Sequence, residues 1–194
     1  MSQRLEVGVE GGVRTTGDVS GTLAPESKRY IIGPKVEIRL PLHLSVEFDA
    51  LYRRFGFTGD DYFFVGNIIT RERANSWEFP MILKYRIPVV PGHPFVGAGY
   101  APRTVHGTDV SSGYFNSDSV RYVIINERSD TSYSVTQGVV ISAGLSLGVG
   151  PVRFSPELRY VHWIAPFLDE SFNPGNLYLS RQNEVFVLFG ISWH

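Results

Sequence analysis

The chain has 194 residues, of which 43% are hydrophobic, 13% aromatic and 19% charged, with 20 Gly, 12 Pro and no Cys. Its 18 Lys and Arg against 19 Asp and Glu leave a net charge of −1, which offers no field to a nucleic-acid backbone, and the composition excludes a disordered chain and a coiled coil. Lack of cysteine removes disulfide scaffolds and thiolate sites, and no run of about 18 apolar residues exists to form a transmembrane helix.

The chain opens with Met1-Ser-Gln-Arg-Leu-Glu-Val, without the basic segment and apolar core of a signal peptide, so it reads as cytosolic or as a mature sequence. Period-2 alternation, the signature of strands, then recurs in eight runs: 3–15, 30–40, 42–54, 76–87, 94–103, 133–148, 152–163 and 182–193. They span ten to sixteen residues each, whereas an average globular strand has about five or six and a bilayer-crossing strand about nine to eleven. The connections alternate in length. Segments 16–29, 55–75, 104–132 and 164–181 are long, and the turns at Pro41, 88–93 and 149–151 are short. Long loops therefore fall at one end, with short turns and both termini at the other, the segregation seen in outer-membrane barrels. One domain, 1–194, accounts for the chain, with no tandem repeat.

Alternate positions separate two faces. One carries Leu5, Val7, Val9, Ile32, Ile38, Val46, Phe48, Leu83, Val96, Ile141, Leu158, Val187 and Phe189, and is almost free of charge. The other carries Arg4, Glu6, Glu10, Arg14, Lys35, Glu37, Arg39, Glu47, Asp49, Arg53, Glu78, Lys84, Arg86, Arg153, Glu157, Arg159 and Glu184. Periodicity alone does not say which face points inward, and a soluble lipocalin-like barrel with an apolar interior uses the same pattern. Three features favour an apolar face turned to lipid: the strand length with its segregated loops, the placing of Tyr52, Trp77, Tyr85, Tyr160 and Trp193 near strand ends as interfacial girdles, and the near-balance of eight acids and nine bases able to pair in a narrow lumen. The fold expected is an all-β, transmembrane, antiparallel up-and-down barrel of eight strands. Pro34, Pro80 and Pro156 interrupt this scheme by removing ladder donors, and bulges would be one remedy. Leu51, Ile82 and Leu188 place apolar side chains on the charged face.

Several stretches resemble bacterial outer-membrane β-barrel domain proteins: Gly33-Pro34-Lys35-Val36-Glu37, the run from Trp77 to Arg86, and Pro94 to Tyr100. The last strand, Asn183 to Trp193, is similar to the terminal signal read by the barrel-insertion machinery, except that His194 follows the aromatic. The resemblance covers the whole chain and implies a small eight-stranded barrel of a Gram-negative outer membrane, exported by a signal peptide, with no shared chemical site.

Eight strands leave an interior that side chains fill, so the inner charges read as a polar plug, with a narrow ion or water channel as the alternative. A lipid A-modifying enzyme needs a catalytic set. His43 and His93 fall in short turns and His194 is terminal; His162 has lipid-facing parity and no His-x-Ser or Gly-x-Ser-x-Gly motif beside it. His106 lies near Asp109, Ser111 and Ser112 in the longest connection, where small polar residues are ordinary. Asp60, Asp61 and Asp118 lack the spacing of a calcium loop, and neither metal nor cofactor is expected. Lys28, Arg29, Arg71, Arg73, Arg121, Arg128 and Arg181 fall toward the long-loop end, where lipopolysaccharide phosphates would meet them. The function expected is a non-catalytic, monomeric outer-membrane protein with periplasmic termini, serving membrane integrity or surface adhesion, with outer-membrane lipid, lipopolysaccharide and the insertion machinery as partners.

Overall fold

Alternation of this length favours extended backbone throughout, because β-branched and aromatic side chains pack well on a pleated surface. The computed structural model describes residues 5–17, 19–20, 28–63, 66–88, 91–106, 108–116, 121–129, 133–165 and 179–193; side chains are described outside 19–20, 55–74, 107–134 and 166–180. Eight antiparallel strands follow one another, with no helix among the described residues. They are β1 (Leu5–Arg14), β2 (Tyr30–Arg39), β3 (Leu44–Asp49 and Leu51–Phe63), β4 (Gly66–Glu78 and Met81–Arg86), β5 (Phe95–His106 and Thr108–Asn116), β6 (Arg121–Ser129 and Tyr133–Gly144), β7 (Val152–Trp163) and β8 (Asn183–Trp193). Each strand pairs with the next, and β8 pairs with β1 from Val7 opposite Trp193 to Arg14 opposite Phe186, so the sheet closes on itself. Closure removes the unpaired edges that a bilayer would not tolerate.

The register fixes the barrel's shape. Starting at Leu5, the row of facing residues runs through Ile38, Val46, Leu83, Ala98, Ile141, Tyr160 and Val185. The Val185 carbonyl accepts from the amide of Thr15, so one circuit advances from position 5 to position 15 along the first strand. An offset of ten over eight strands tilts them about 40° from the axis and puts the wall about 8 Å from it. Every residue on this row points outward.

In the segments 55–75 and 104–132, expected as loops, the described residues are strand instead. Leu51–Phe63 and Gly66–Glu78 form one hairpin, and Thr108–Asn116 with Arg121–Ser129 form another, joined through Ile68 opposite Tyr114. This four-stranded sheet continues beyond the closed wall. Its sequence is rich in Gly, Ser, Asp and Arg, so it lacks the apolar alternation by which the other runs are legible. No bulge accompanies the prolines. Register is unshifted across Pro34 and Pro156. The ladder breaks at Phe79 and Pro80, opposite Ala50 and Asp49, and resumes in the same register from Leu51–Glu78 to Phe48–Met81. The Pro80 carbonyl still accepts from Asp49 N at 3.1 Å, and the Pro34 carbonyl from Ala50 N at 3.0 Å.

Glycine is required where strands or inner side chains crowd. A Cβ at Gly12 would lie 2.1 Å from the Val187 carbonyl oxygen, whereas one at Gly148 would meet nothing within 4 Å. Gly12→Ala is expected to lower the urea midpoint of the detergent-folded barrel by an overpacking cost of about 1–3 kcal/mol. Gly148→Ala is expected to leave it unchanged, with both read from heat-modifiable gel migration against urea.

Candidate functional site: the barrel lumen

The alternation places the charged parity inside. Glu10, Lys35, Glu47, Lys84, Arg159 and Glu184 are buried, while Leu5, Val7, Leu83, Val139, Ile141 and Leu158 are exposed, Leu158 at 55%. Strand tilt then sorts the inner side chains into levels along the axis.

The middle level is a closed ion network. Arg159 donates through Nη1 to Asp49 at 2.7 Å and through Nε to Glu157 at 2.7 Å, and its Nη2 lies 3.2 Å from Glu10 and 3.0 Å from Glu47. Lys35 Nζ bridges Glu10 and Glu47 at 2.8 and 2.7 Å, and Lys84 Nζ bridges Glu47 and Glu157, both at 2.6 Å. Carboxylate oxygens of Glu10, Glu47 and Asp49 converge within 4.8 Å of one another, and the cations holding them together are the Lys35 and Arg159 side chains. Room for Lys35 comes from Gly190, where a Cβ would sit 2.9 Å from Nζ.

Nearer the long-connection end, Arg53 pairs with Glu78 at 2.8 Å and with Glu184 at 3.0 Å, and Arg14 lies 3.8 Å from Glu184. Arg103, at the end of the fifth alternating run and absent from the charged face read there, belongs to this level. It reaches Glu184 at 3.4 Å and Thr136 at 2.9 Å, and its guanidinium covers the Trp163 ring at 3.7 Å. Its inward parity with Gly97, Gly99 and Ala101 was the available signal. At the short-turn end, Glu6 pairs with Arg39 and with Arg153 at 3.1 Å, and Glu37 pairs with Arg86. Arg4 lies outside the described residues.

Between the middle and upper levels every strand contributes an apolar or small residue: Gly12, Ile31, Leu51, Pro80, Ala101, Val140, Val161 and Phe186. Ile31, Leu51, Ala101, Val140, Val161 and Phe186 pack as one buried cluster that extends to Ile82, Leu188 and Trp163. Of the apolar residues that break the inner pattern, Leu51 belongs to this layer, and Ile82 and Leu188, opposite Glu47 and Glu157 of the middle level, join its cluster from below. Such a layer offers water and ions no polar partner.

On the outer wall Tyr52, Trp77 and Tyr160 fall toward the long-connection end, and Tyr85 and Trp193 toward the short-turn end. Tyr52 and Trp77 rings lie 5.2 Å apart, and the Tyr52 hydroxyl donates to Asn75 at 2.7 Å. Tyr160 likewise donates to Asn183 Oδ1 at 2.7 Å, and His162 Nδ1 is 2.8 Å from the same oxygen. Counted along the tilted strands, the girdles stand about 20 Å apart. Arg54 also has outward parity, one charge on that face, and lies beyond the upper girdle next to Arg53. Lys28, Arg29 and Arg181 are exposed at the long-connection end, as is His106. Arg71, Arg73, Arg121, Arg128, Asp60, Asp61, Asp109, Ser111 and Ser112 lie on strands of the projecting sheet, their side chains outside those described, and Asp118 lies outside the described residues.

Arg159→Met would leave four buried carboxylates to two lysines. A loss of about 3–5 kcal/mol is expected, the range for breaking a buried ion pair from one side. Denaturant unfolding in micelles, followed by tryptophan fluorescence, measures it.

No family model matches the chain, and no curated protein sequence does. Among solved structures, that of Neisserial surface protein A, an outer-membrane eight-stranded barrel, is similar to it with a TM-score of 0.57 at 11% identity, covering 98% of this chain and 97% of the other. The chain shares with that protein a closed, eight-stranded antiparallel barrel fold.

Proposed function

We propose that the chain is an integral outer-membrane protein with a sealed lumen, acting in membrane integrity or in surface binding through its long-connection end. One observation carries this reading: the polarity of the barrel is inverted, with paired charges inside and an apolar outer band between two aromatic girdles. In water, exposing Leu5, Leu83, Ile141, Leu158 and Phe189 together while burying Lys35, Lys84 and Arg159 would forfeit apolar burial and desolvate charge at once. In lipid the same arrangement meets a matching solvent on each side. A band of about 20 Å suits a bacterial outer membrane, which is thinner than average.

In this reading the short turns and both described strand termini face the periplasm, and the projecting sheet faces outward. Lys28, Arg29 and Arg181 stand beside the upper girdle, where lipopolysaccharide phosphates lie; Arg71 and Arg73, on β4 of the projecting sheet, are assigned to the same partner by sequence position alone. The β8 strand serves the insertion machinery, and the barrel works as a monomer. His162 is read as an interfacial anchor beside Asn183 and Tyr160, and the protein as non-catalytic. The apolar layer supports a sealed lumen over the narrow channel.

Purified, refolded protein in planar bilayers is expected to give no discrete conductance steps; steps of uniform size would sink the sealed-lumen reading. Leu158→Arg puts a charge near the middle of the outer band and is expected to cost about 2–4 kcal/mol of folding in lipid vesicles. If that variant stays folded and monomeric in detergent-free buffer, the membrane reading is wrong.

A further inference from the structure

The short-turn mouth holds a cleft of about 710 Å³ lined by Arg39, Arg86 and Arg153, with His43 and His93 at its edge. Three separate elements supply the guanidinium groups: the end of β2, the end of β4 and the start of β7. The two imidazoles come from the two adjoining turns, where Leu42, His43 and His93 all take left-handed backbone, φ 62°, 62° and 42°. His43 O also accepts from Arg86 N at 2.9 Å, tying the first turn to the strand that carries one of the arginines.

These arginines differ from the other cations of the lumen. Their side chains are 27%, 14% and 16% exposed, whereas those of Lys35, Lys84, Arg103 and Arg159 are 2% exposed or less. They share only Glu6 and Glu37 as carboxylate partners among the described residues. Three guanidiniums carry about fifteen N–H donors, against about eight lone-pair sites on two carboxylates. Donors are therefore left over at a place open to solvent, where the levels above spend theirs on buried acids. Leu40, Pro41, Leu42 and Leu44 line the same cleft and give it an apolar side.

We propose that this mouth is a binding site for a phosphate-bearing anion. Phosphate suits it better than carboxylate. One planar fork satisfies a carboxylate, whereas a tetrahedral phosphate directs acceptors at several guanidiniums arriving from different strands. The apolar side admits a ligand whose phosphate is attached to hydrocarbon as well as a free phosphate compound.

The test uses the full chain refolded in octyl glucoside, a detergent without phosphate, and isothermal titration calorimetry. Probes are pyrophosphate, dihexanoyl phosphatidic acid, its phosphate-free counterpart dihexanoylglycerol, and succinate. Saturable 1:1 binding of pyrophosphate, of phosphatidic acid or of both supports the site, and which of the two binds tells a free phosphate from a lipid headgroup. Succinate and dihexanoylglycerol are expected to bind at least about tenfold more weakly, and Arg153→Gln or Arg86→Gln to cost about tenfold for the phosphate probe, as one charge-assisted hydrogen bond is worth. Arg54→Gln, on the outer wall at the far end, should leave binding unchanged. Absence of saturable binding by the folded wild type overturns the proposal. So does equal affinity for succinate, or full affinity in folded Arg153→Gln and Arg86→Gln. Should neither variant fold, the wild-type titrations decide alone.

Discussion

Everything inside this barrel depends on one geometric constraint: closing eight strands with an offset of ten residues decides which side chains share a level. Glu10 on β1, Lys35 on β2, Glu47 and Asp49 on β3, Lys84 on β4 and Glu157 and Arg159 on β7 are scattered along the chain, yet tilt brings them to one height, where they interlock at 2.6–3.2 Å. A buried ion pair barely repays its desolvation, and a lone buried charge does not repay it at all. The network stands because each of its cations meets two or more carboxylates. With another offset, the same inner residues would meet different neighbours.

The same constraint explains the apolar layer. Leu51 and Ile82 look like lapses in an inner face built of charge when each strand is read alone. Placed on the barrel, Leu51 stands level with Ile31, Val140 and Phe186, and each strand supplies one small or apolar residue there. The layer isolates two charged compartments that differ in composition, the upper one rich in arginine and carrying the Arg103–Trp163 stack.

Much of the fold was legible because the two faces of the wall have opposite polarity on adjacent residues, and alternation records that directly. Strand count, the order of short and long connections, and the inward parity of residues such as Lys35 and Arg159 all follow from it. The projecting hairpins were not legible, since strands such as Thr108–Asn116 and Arg121–Ser129 carry no alternating apolar stripe. Ion partners were not legible either. Parity shows that Arg159 points inward, but its meeting with Asp49 and Glu47 depends on tilt and offset, which no single strand encodes. Arg103 escaped for a plainer reason: it closes its run, and run ends are where alternation is weakest.

The inner ion pairs join residues very far apart in the chain. Arg159 and Glu10 are separated by 149 positions and Arg53 and Glu184 by 131, and the Ser192 hydroxyl donates to Glu6 across 186. Hairpins formed one after another would therefore expose charge without its partner until β8 reaches β1. An open, partly built sheet is the species least suited to hydrocarbon, since it carries both unpaired edge amides and unpaired ions. The wiring of the lumen thus favours assembly in a single concerted event, in which the seam seals as the charges find their partners, and slow relative to folds made from local contacts.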